Sequence, residues 1–313
     1  MTNKYLRIAR PDHWPKNIMM APGALLGILV DDLSVAGQIQ TFTVAFLGTS
    51  LIASANYTIN EFLDKDFDRH HPAKQKRALV GQDVSAKVIA LQYAILAITG
   101  LLLLYPLNLT ALLGGLSLLL MGIVYNVRPM RTKEIVYFDV ISESINNPIR
   151  LIIGWGSVTS IILPPISLIF CFWFGGAFLM AAKRYSEFRY INSPTVASKY
   201  RKSFENYTEL SLLLSSFFYA LLSIFMLAIF LIKYRSEFLF CFPFVAIVFT
   251  WYLALSHKGG RTIAIEPEKI YQYRPFLVFV IFTCSVVIFL FFVDIPVANF
   301  IADHQVKLDY RWD

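Results

Sequence analysis

The chain predicts an all-α, polytopic membrane protein, a bundle of nine transmembrane helices, from three observations. It is 57% hydrophobic, with a mean hydropathy of +0.57, far above the soluble range. Its charged residues, 16% of the total, are gathered into short blocks between long apolar runs. Most of those runs reach the roughly 20 residues needed to cross the hydrocarbon core of a bilayer.

In chain order the runs lie at about 17–31, 41–62, 86–106, 109–127, 135–158, 165–186, 209–232, 237–256 and 275–294. The first is short and is interrupted by Pro22 and Gly23, so its helix begins late or lies tilted. The tight connection at Pro106–Asn108 makes the third and fourth runs a helical hairpin. The longest polar insert, about 187–208, is rich in Ser, Thr, Asn and Tyr and reads as a loop or short surface helix. No soluble domain fits between the runs, so residues 1–313 are expected to form one transmembrane domain. Nothing at the N-terminus reads as a cleavable signal peptide, because a charged, Trp-containing segment precedes the first run. Cys171, Cys241 and Cys284 all lie inside apolar runs, without metal-ligand spacing, and read as small core hydrophobes.

Loop charges orient the set. With residues 1–16 cytoplasmic, 23 Lys and Arg fall on the cytoplasmic side, whereas Lys233, Arg235, Lys307 and Arg311 fall opposite, beside the acidic pair Asp31–Asp32. This places residues 295–313 on the non-cytoplasmic side and every motif-bearing loop in the cytosol. The expected location is the inner, cytoplasmic membrane of a bacterial cell envelope. The net charge of +7 is explained by this asymmetry, so nucleic acid is not expected as a partner.

The most informative stretch follows the second run, NEFLDKDFDRHHPAKQKR at 60–77. Asn60, Asp64 and Asp68 recur every fourth residue and share roughly an 80° arc of one helix face. Two carboxylates and an amide oxygen are hard donors suited to Mg²⁺. Arg69, Lys74 and Arg77 follow and can hydrogen-bond phosphate oxygens. A metal beside cations at a membrane surface points to a diphosphate whose departure must be neutralised. The alternative is a solvated helix end carrying interfacial charge.

Four further segments carry polar groups. RPDHWPKN at 10–17 brings Lys16 and Asn17 to the mouth of the first run, where Trp14 also suits a membrane anchor. YNVRPMRTK at 125–133 supplies Tyr125, Arg131 and Lys133, which a cytoplasmic loop needs in any case. Within the fifth run, Asp139, Glu143, Asn146 and Arg150 share roughly 60° of arc. Ionisable groups at that depth cost a few kcal/mol each unless paired or facing a wet cavity. They form either a Glu143–Arg150 or Asp139–Arg150 lock or a cavity wall that touches substrate. AAKRYSEFR at 181–189 ends the sixth run with Lys183, Arg184 and Glu187, either a surface salt bridge or part of a mouth shared with the ladder.

Together these segments resemble the UbiA superfamily of intramembrane prenyltransferases, whose motif after helix two reads N-D-x-x-D-x-x-x-D. Here Asn60-Glu61-x-x-Asp64-x-x-x-Asp68 departs only at Glu61. Arg10, Pro11, Trp14, Lys16 and Asn17, then Asp68, Arg69, His71, Pro72, Lys74 and Arg77, and finally Lys183, Arg184 and Glu187 are most similar to the decaprenyl-phosphate phosphoribosyltransferase branch. The 125–133 loop departs, looking more like the Y-S-x-P-P-x-R-x-K loop of general UbiA enzymes, with Asn126 and Arg128 in place of Ser and the first Pro. The resemblance implies nine helices around a cytoplasm-facing cavity, and Mg²⁺ held by Asn60, Asp64 and Asp68. The partners it implies are a polyprenyl lipid, a diphosphate-bearing co-substrate and the surrounding membrane lipid. Asp64, Asp68, Lys183 and Glu187 would serve the chemistry. Lys16, Asn17, Arg69, Lys74, Arg77, Tyr125, Arg131, Lys133, Asn146, Arg150 and Arg184 would bind substrate.

The implied reaction joins a polyprenyl phosphate to the phosphoribosyl group of phosphoribosyl diphosphate. The rival within the family moves an isoprenoid chain from its diphosphate to an aromatic, quinone-precursor or glycerol-type acceptor. Such an enzyme carries a second Asp-rich motif, where this chain has Lys183, Arg184 and Glu187. An ion transporter using Asp139, Glu143 and Arg150, or a silent lipid-binding scaffold, are the readings outside enzymology.

Overall fold

The computed structural model describes residues 4–68, 79, 84–161, 163–234, 236–258, 272–293 and 295, and among them it holds helices and connections without a strand. The α-helices are α1 (Lys4–Ile8), α2 (Ala21–Val30), α3 (Val35–Asp68), α4 (Ala86–Leu104), α5 (Leu109–Asn126) and α6 (Phe138–Ser144). They continue as α7 (Asn146–Gly156), α8 (Ile166–Ile191), α9 (Pro194–Tyr200), α10 (Glu209–Tyr234), α11 (Phe242–His257) and α12 (Arg274–Phe292). Short 3₁₀ segments at Pro11–Met20, Thr132–Glu134, Lys202–Glu205 and Ser236–Cys241 link them.

Among the described residues six segments are long and apolar enough to cross a membrane: α3, α4, α5, α8, most of α10, and Glu237–His257. The protein is an integral membrane protein on that ground. The other apolar runs become the short helices α2, α6 and α7 and the 19-residue α12. Outward faces are what lipid requires. Leu91, Ile95, Ile98 and Leu102 on α4 are exposed, as are Leu210, Leu214, Phe217, Leu221 and Phe225 on α10.

Two apolar cores meet at a seam. One gathers Met20, Ala45, Ile52, Leu104, Ala111, Leu118, Ile149 and Ile153. The other gathers Val140, Ala177, Phe178, Ala181, Tyr219, Tyr252 and Phe276. The fifth apolar run therefore divides, with α6 packed in the second core and α7 in the first. Expected as one continuous helix, it stops at Ser144 and restarts at Asn146, with Pro148 in the first turn of the new helix. Proline tolerates that position because it lacks only an N–H that would be unsatisfied there.

Two glycines let the first segment approach α7. A Cβ at Gly154 would lie 2.0 Å from the Met20 carbonyl oxygen, and one at Gly23 the same distance from that of Leu151. Small residues at such a crossing replace the hydrophobic effect, which is absent between helices in lipid. This contact brings Asn17 against Arg150. Trp14, which suited an anchor, instead donates through Nε1 to Ser54 Oγ at 2.9 Å, so the 3₁₀ segment lies along α3.

At about 1.5 Å per residue α3 is roughly 50 Å long, well beyond the bilayer's hydrocarbon thickness. A helix of that length must extend past the core at one end or both, and the ladder occupies its last turns.

Candidate active site

The ladder is built into the end of α3 and is packed against the end of α5. Asn60 Nδ2 donates to Asn126 Oδ1 at 2.5 Å, and Lys133 Nζ reaches the same oxygen at 2.8 Å. Lys133 also donates to Asp64 Oδ1 at 2.6 Å, and Arg131 Nη2 reaches that oxygen at 3.0 Å. The Asp64 side chain is 18% exposed and Asp68 is buried. The solvated helix end considered for this segment is thus a covered site.

Arg131 takes a left-handed φ of 32° and Arg10 one of 49°, and each pairs with a carboxylate on α3. Arg10 Nε is 3.0 Å from Glu61 Oε2. A side chain held at positive φ costs energy, and such strain gathers where a group must be aimed. Lys133 is buried, which pushes its ammonium down to about 8 against the opposing pull of Asp64.

Across the seam, Arg184 forms a hub. Its Nε meets Asp139 Oδ2 at 3.1 Å, its Nη1 meets Glu187 Oε2 at 3.2 Å, and its Nη2 meets Glu143 Oε2 at 2.9 Å. Three carboxylates therefore converge on one arginine that is 1% exposed. Arg184 and Glu187 do not form the surface bridge considered from sequence. Tyr125 connects the two sides, because its hydroxyl donates to Glu143 Oε2 at 2.6 Å and Lys133 Nζ stands 5.9 Å from its ring centre. Asp64 and the Lys183–Glu187 segment thus belong to one connected polar layer.

A strap over residues 192–208 covers this layer. Tyr207 donates to Asp139 Oδ1 at 2.8 Å and Ser203 to Asp139 Oδ2 at 3.2 Å, while Phe204 packs edge-on to Phe188. The strap brings Arg201 Nη1 to 3.9 Å from Asp139. Arg201 is close enough to Glu187, Tyr125 and Glu143 that its guanidinium is held well above the usual range despite burial. Burial and the neighbouring Asp139 carboxylate likewise raise the Tyr207 phenol.

The remaining candidates differ in placement. Lys183 is half-buried and near Glu143, without a hydrogen-bond partner among the described residues. Asn17 is buried and accepts from Arg150 Nε at 2.8 Å, and Asn146 lies one turn before Arg150. Lys16 is exposed. Arg69, Lys74 and Arg77 lie outside the described residues. The Glu143–Arg150 and Asp139–Arg150 pairs do not form: both carboxylates go to Arg184. Reasoning from sequence missed Asn126 as the acceptor shared by Asn60 and Lys133. It also missed Arg201, Ser203 and Tyr207, which no spacing pattern marks.

The donor set fits a hard divalent cation. Asp64 already attracts two cationic side chains through Oδ1, and Asn60 and Asp68 share its helix face. Among the described residues no group of three His, Cys, Asp or Glu is arranged to hold a metal ion by itself, so Mg²⁺ here would take the two carboxylates, the amide oxygen and oxygens from a diphosphate.

A family model described as the UbiA prenyltransferase family matches residues 20–265, more than half of the chain. The chain is 31% identical over 210 residues to a decaprenyl-phosphate phosphoribosyltransferase of Mycobacterium tuberculosis, covering 65% of each protein. The match therefore spans just under two thirds of that relative's length. A protoheme IX farnesyltransferase of Macrococcus caseolyticus is 26% identical over 181 residues, 56% of this chain and 58% of its own. Among solved structures, a UbiA homolog from Archaeoglobus fulgidus bound to GPP and Mg²⁺ superposes with a TM-score of 0.68 at 20% identity. That superposition covers 93% of this chain and 100% of that one, and it is a likeness of fold.

Proposed function

This chain belongs to the UbiA prenyltransferase family, and from that premise we propose that it is a Mg²⁺-dependent transferase that joins a polyprenyl phosphate to the phosphoribosyl group of phosphoribosyl diphosphate. The observation that carries the proposal is the use made of the carboxylates across from the ladder. Arg184 engages Asp139, Glu143 and Glu187, while Lys183 and Arg150 have no carboxylate within ion-pair distance among the described residues. A site for ionising a prenyl diphosphate gains from a second carboxylate cluster for metal. Two anionic substrates repel each other, and a surplus of fixed cations lets them approach. The similarity to the mycobacterial phosphoribosyltransferase supports the same reading.

In this scheme Asn60, Asp64 and Asp68 would hold Mg²⁺, which when bound would supply Lewis-acid neutralisation of the departing diphosphate. Lys133 and Arg131, already gathered at Asp64, donate to diphosphate oxygens. Lys183 steadies the phosphate of the lipid, whose oxygen attacks C1 of the ribose as the C1–O bond to diphosphate breaks. The diphosphate leaves with the bonding electrons, the lipid phosphate becomes a diester, and no proton has to move. Glu187 acts by fixing Arg184, and through it Glu143, while Tyr125 ties Glu143 to the ladder side. The active site faces the cytosol, where a soluble sugar diphosphate enters, and the isoprenoid tail lies among the helices.

Purified protein with Mg²⁺, radiolabelled phosphoribosyl diphosphate and a short polyprenyl phosphate should move label into the organic phase. No organic-phase label from active, folded protein rejects the donor. Prenyl transfer to an aromatic or heme-like acceptor is the second reading, favoured by the farnesyltransferase relative, and a prenyl diphosphate in the same assay tests it.

A further inference from the structure

Arg150 is a cation within the bundle whose hydrogen-bond partners among the described residues are all neutral, with the Glu143 carboxylate acting on it only from beyond ion-pair distance. Its Nε donates to Asn17 Oδ1 at 2.8 Å and its Nη1 to the Asn146 main-chain oxygen at 3.3 Å. Asn17 is held in turn, donating to Ser50 Oγ at 3.0 Å. Asn146 Nδ2 donates to the Glu143 carbonyl at 3.0 Å, but its Oδ1 is buried without a partner among the described residues. Tyr57 stands close enough for its hydroxyl to feel the Arg150 charge, and Arg150 itself is half-buried. An arginine within the bundle of a membrane protein, without an ion pair among the described residues, is expensive, and such a group marks a ligand path.

The donors and acceptors specify the ligand. A guanidinium with an unused edge matches a phosphate monoester, which it binds through two parallel hydrogen bonds. An orphan amide oxygen one turn away needs a donor, which a sugar hydroxyl provides. An isoprenoid chain offers neither group. The location is also separate from the ladder: Ser50, the anchor of Asn17, precedes Asn60 on α3 by roughly 15 Å of helix axis. The guanidinium closes part of that distance by folding back toward Asn146.

We propose that Arg150 and Asn146, with Asn17 positioning the guanidinium, form a second anion subsite that takes the 5-phosphate and a ribose hydroxyl of the sugar donor. This deepens the phosphoribosyl reading above and rests on it. The diphosphate end of the donor binds at the ladder and the monoester end binds at Arg150, so the sugar spans the seam with C1 toward Lys183.

The test is equilibrium binding to the detergent-purified protein with Mg²⁺, using phosphoribosyl diphosphate and ribosyl diphosphate lacking the 5-phosphate. Wild type should prefer the phosphorylated donor by about tenfold to a hundredfold, the usual worth of charge-assisted hydrogen bonds. Arg150→Gln should collapse that preference, whereas Asp64→Asn should weaken both donors and keep their ratio. Asn146→Asp, which sets a carboxylate against the phosphate, should lower the preference as well and serves if Arg150→Gln does not fold. Equal affinity of wild type for the two donors overturns the subsite, as does an undiminished preference in the variants. Binding of neither donor by folded wild type overturns the phosphoribosyl reading with it. A hydroxylated aromatic carboxylate that binds wild type and is lost in Arg150→Gln, with no effect of the 5-phosphate, assigns the pocket to an acceptor and rejects the proposal.

Discussion

Lys183 and Arg184 are neighbours in sequence and opposites in circumstance, and the contrast separates function from stability. Arg184 is surrounded by Asp139, Glu143 and Glu187, all drawn to one guanidinium. Replacing it with Met leaves three buried or half-buried carboxylates facing one another, so Arg184→Met should lower stability by about 3–5 kcal/mol. Thermal unfolding in detergent measures this, and an unchanged midpoint would mean that the hub is not structural. Lys183 has no hydrogen-bond partner to lose among the described residues. Lys183→Ala should leave the midpoint in place and weaken a phosphate-bearing substrate by about ten- to a hundredfold. Unchanged affinity would remove Lys183 from the site. Asp64 is proposed to do both jobs: it neutralises Lys133 and Arg131 where the fold buries them, and it would hold the metal in the scheme above. Asp64→Ala should reduce turnover by about a hundredfold or more, as chelation of the metal should, and also cost about 1–3 kcal/mol of stability. Wild-type rates in that variant or in metal-stripped enzyme would end the metal role.

At the scale of elements, the strap and the divided fifth run decide how the site closes. Tyr207 and Ser203 fasten the strap to Asp139, which is itself fully buried. Tyr207→Phe removes one donor from that carboxylate. Hydrogen exchange should then speed up over residues 194–205 while α3 and α5 keep their protection, and equal protection of the strap would show that Tyr207 does not hold it. Much of this level was legible in the sequence. The run boundaries near 86–104, 109–126 and 209–234 follow from composition alone, and the Asn60–Asp64–Asp68 repeat admits only one helix face. The break at Ile145 was legible too, since Pro148 has no N–H to continue a ladder of hydrogen bonds. Four polar residues at helical spacing hid it by suggesting a single stripe. Which carboxylate meets which arginine was not legible. That choice is made across the seam by packing, and local spacing favoured Arg150 where the fold chose Arg184. Arg201 lies in a polar insert with no periodicity, and only the folded strap brings it to Asp139.

For the molecule as a whole, the two cores and the charge asymmetry make a claim about orientation. Tyr105, at the turn after α4, is strongly exposed, and Thr195 lies on the strap. In a chain with its three cysteines replaced, Tyr105→Cys should react with an impermeant maleimide in intact cells, and Thr195→Cys only after permeabilisation. The reverse pattern would invert the bundle and move the site to the outer face. The central claim is that the surplus of cations at the seam serves two anionic substrates, and a competition assay measures it most directly. Folded protein receives Mg²⁺, a polyprenyl phosphate, phosphoribosyl diphosphate, a prenyl diphosphate and an aromatic acceptor together, and the lipid products are read by mass spectrometry. The account predicts polyprenyl phosphate heavier by one phosphoribosyl group, with the aromatic acceptor untouched; a prenylated acceptor with unmodified polyprenyl phosphate would contradict it.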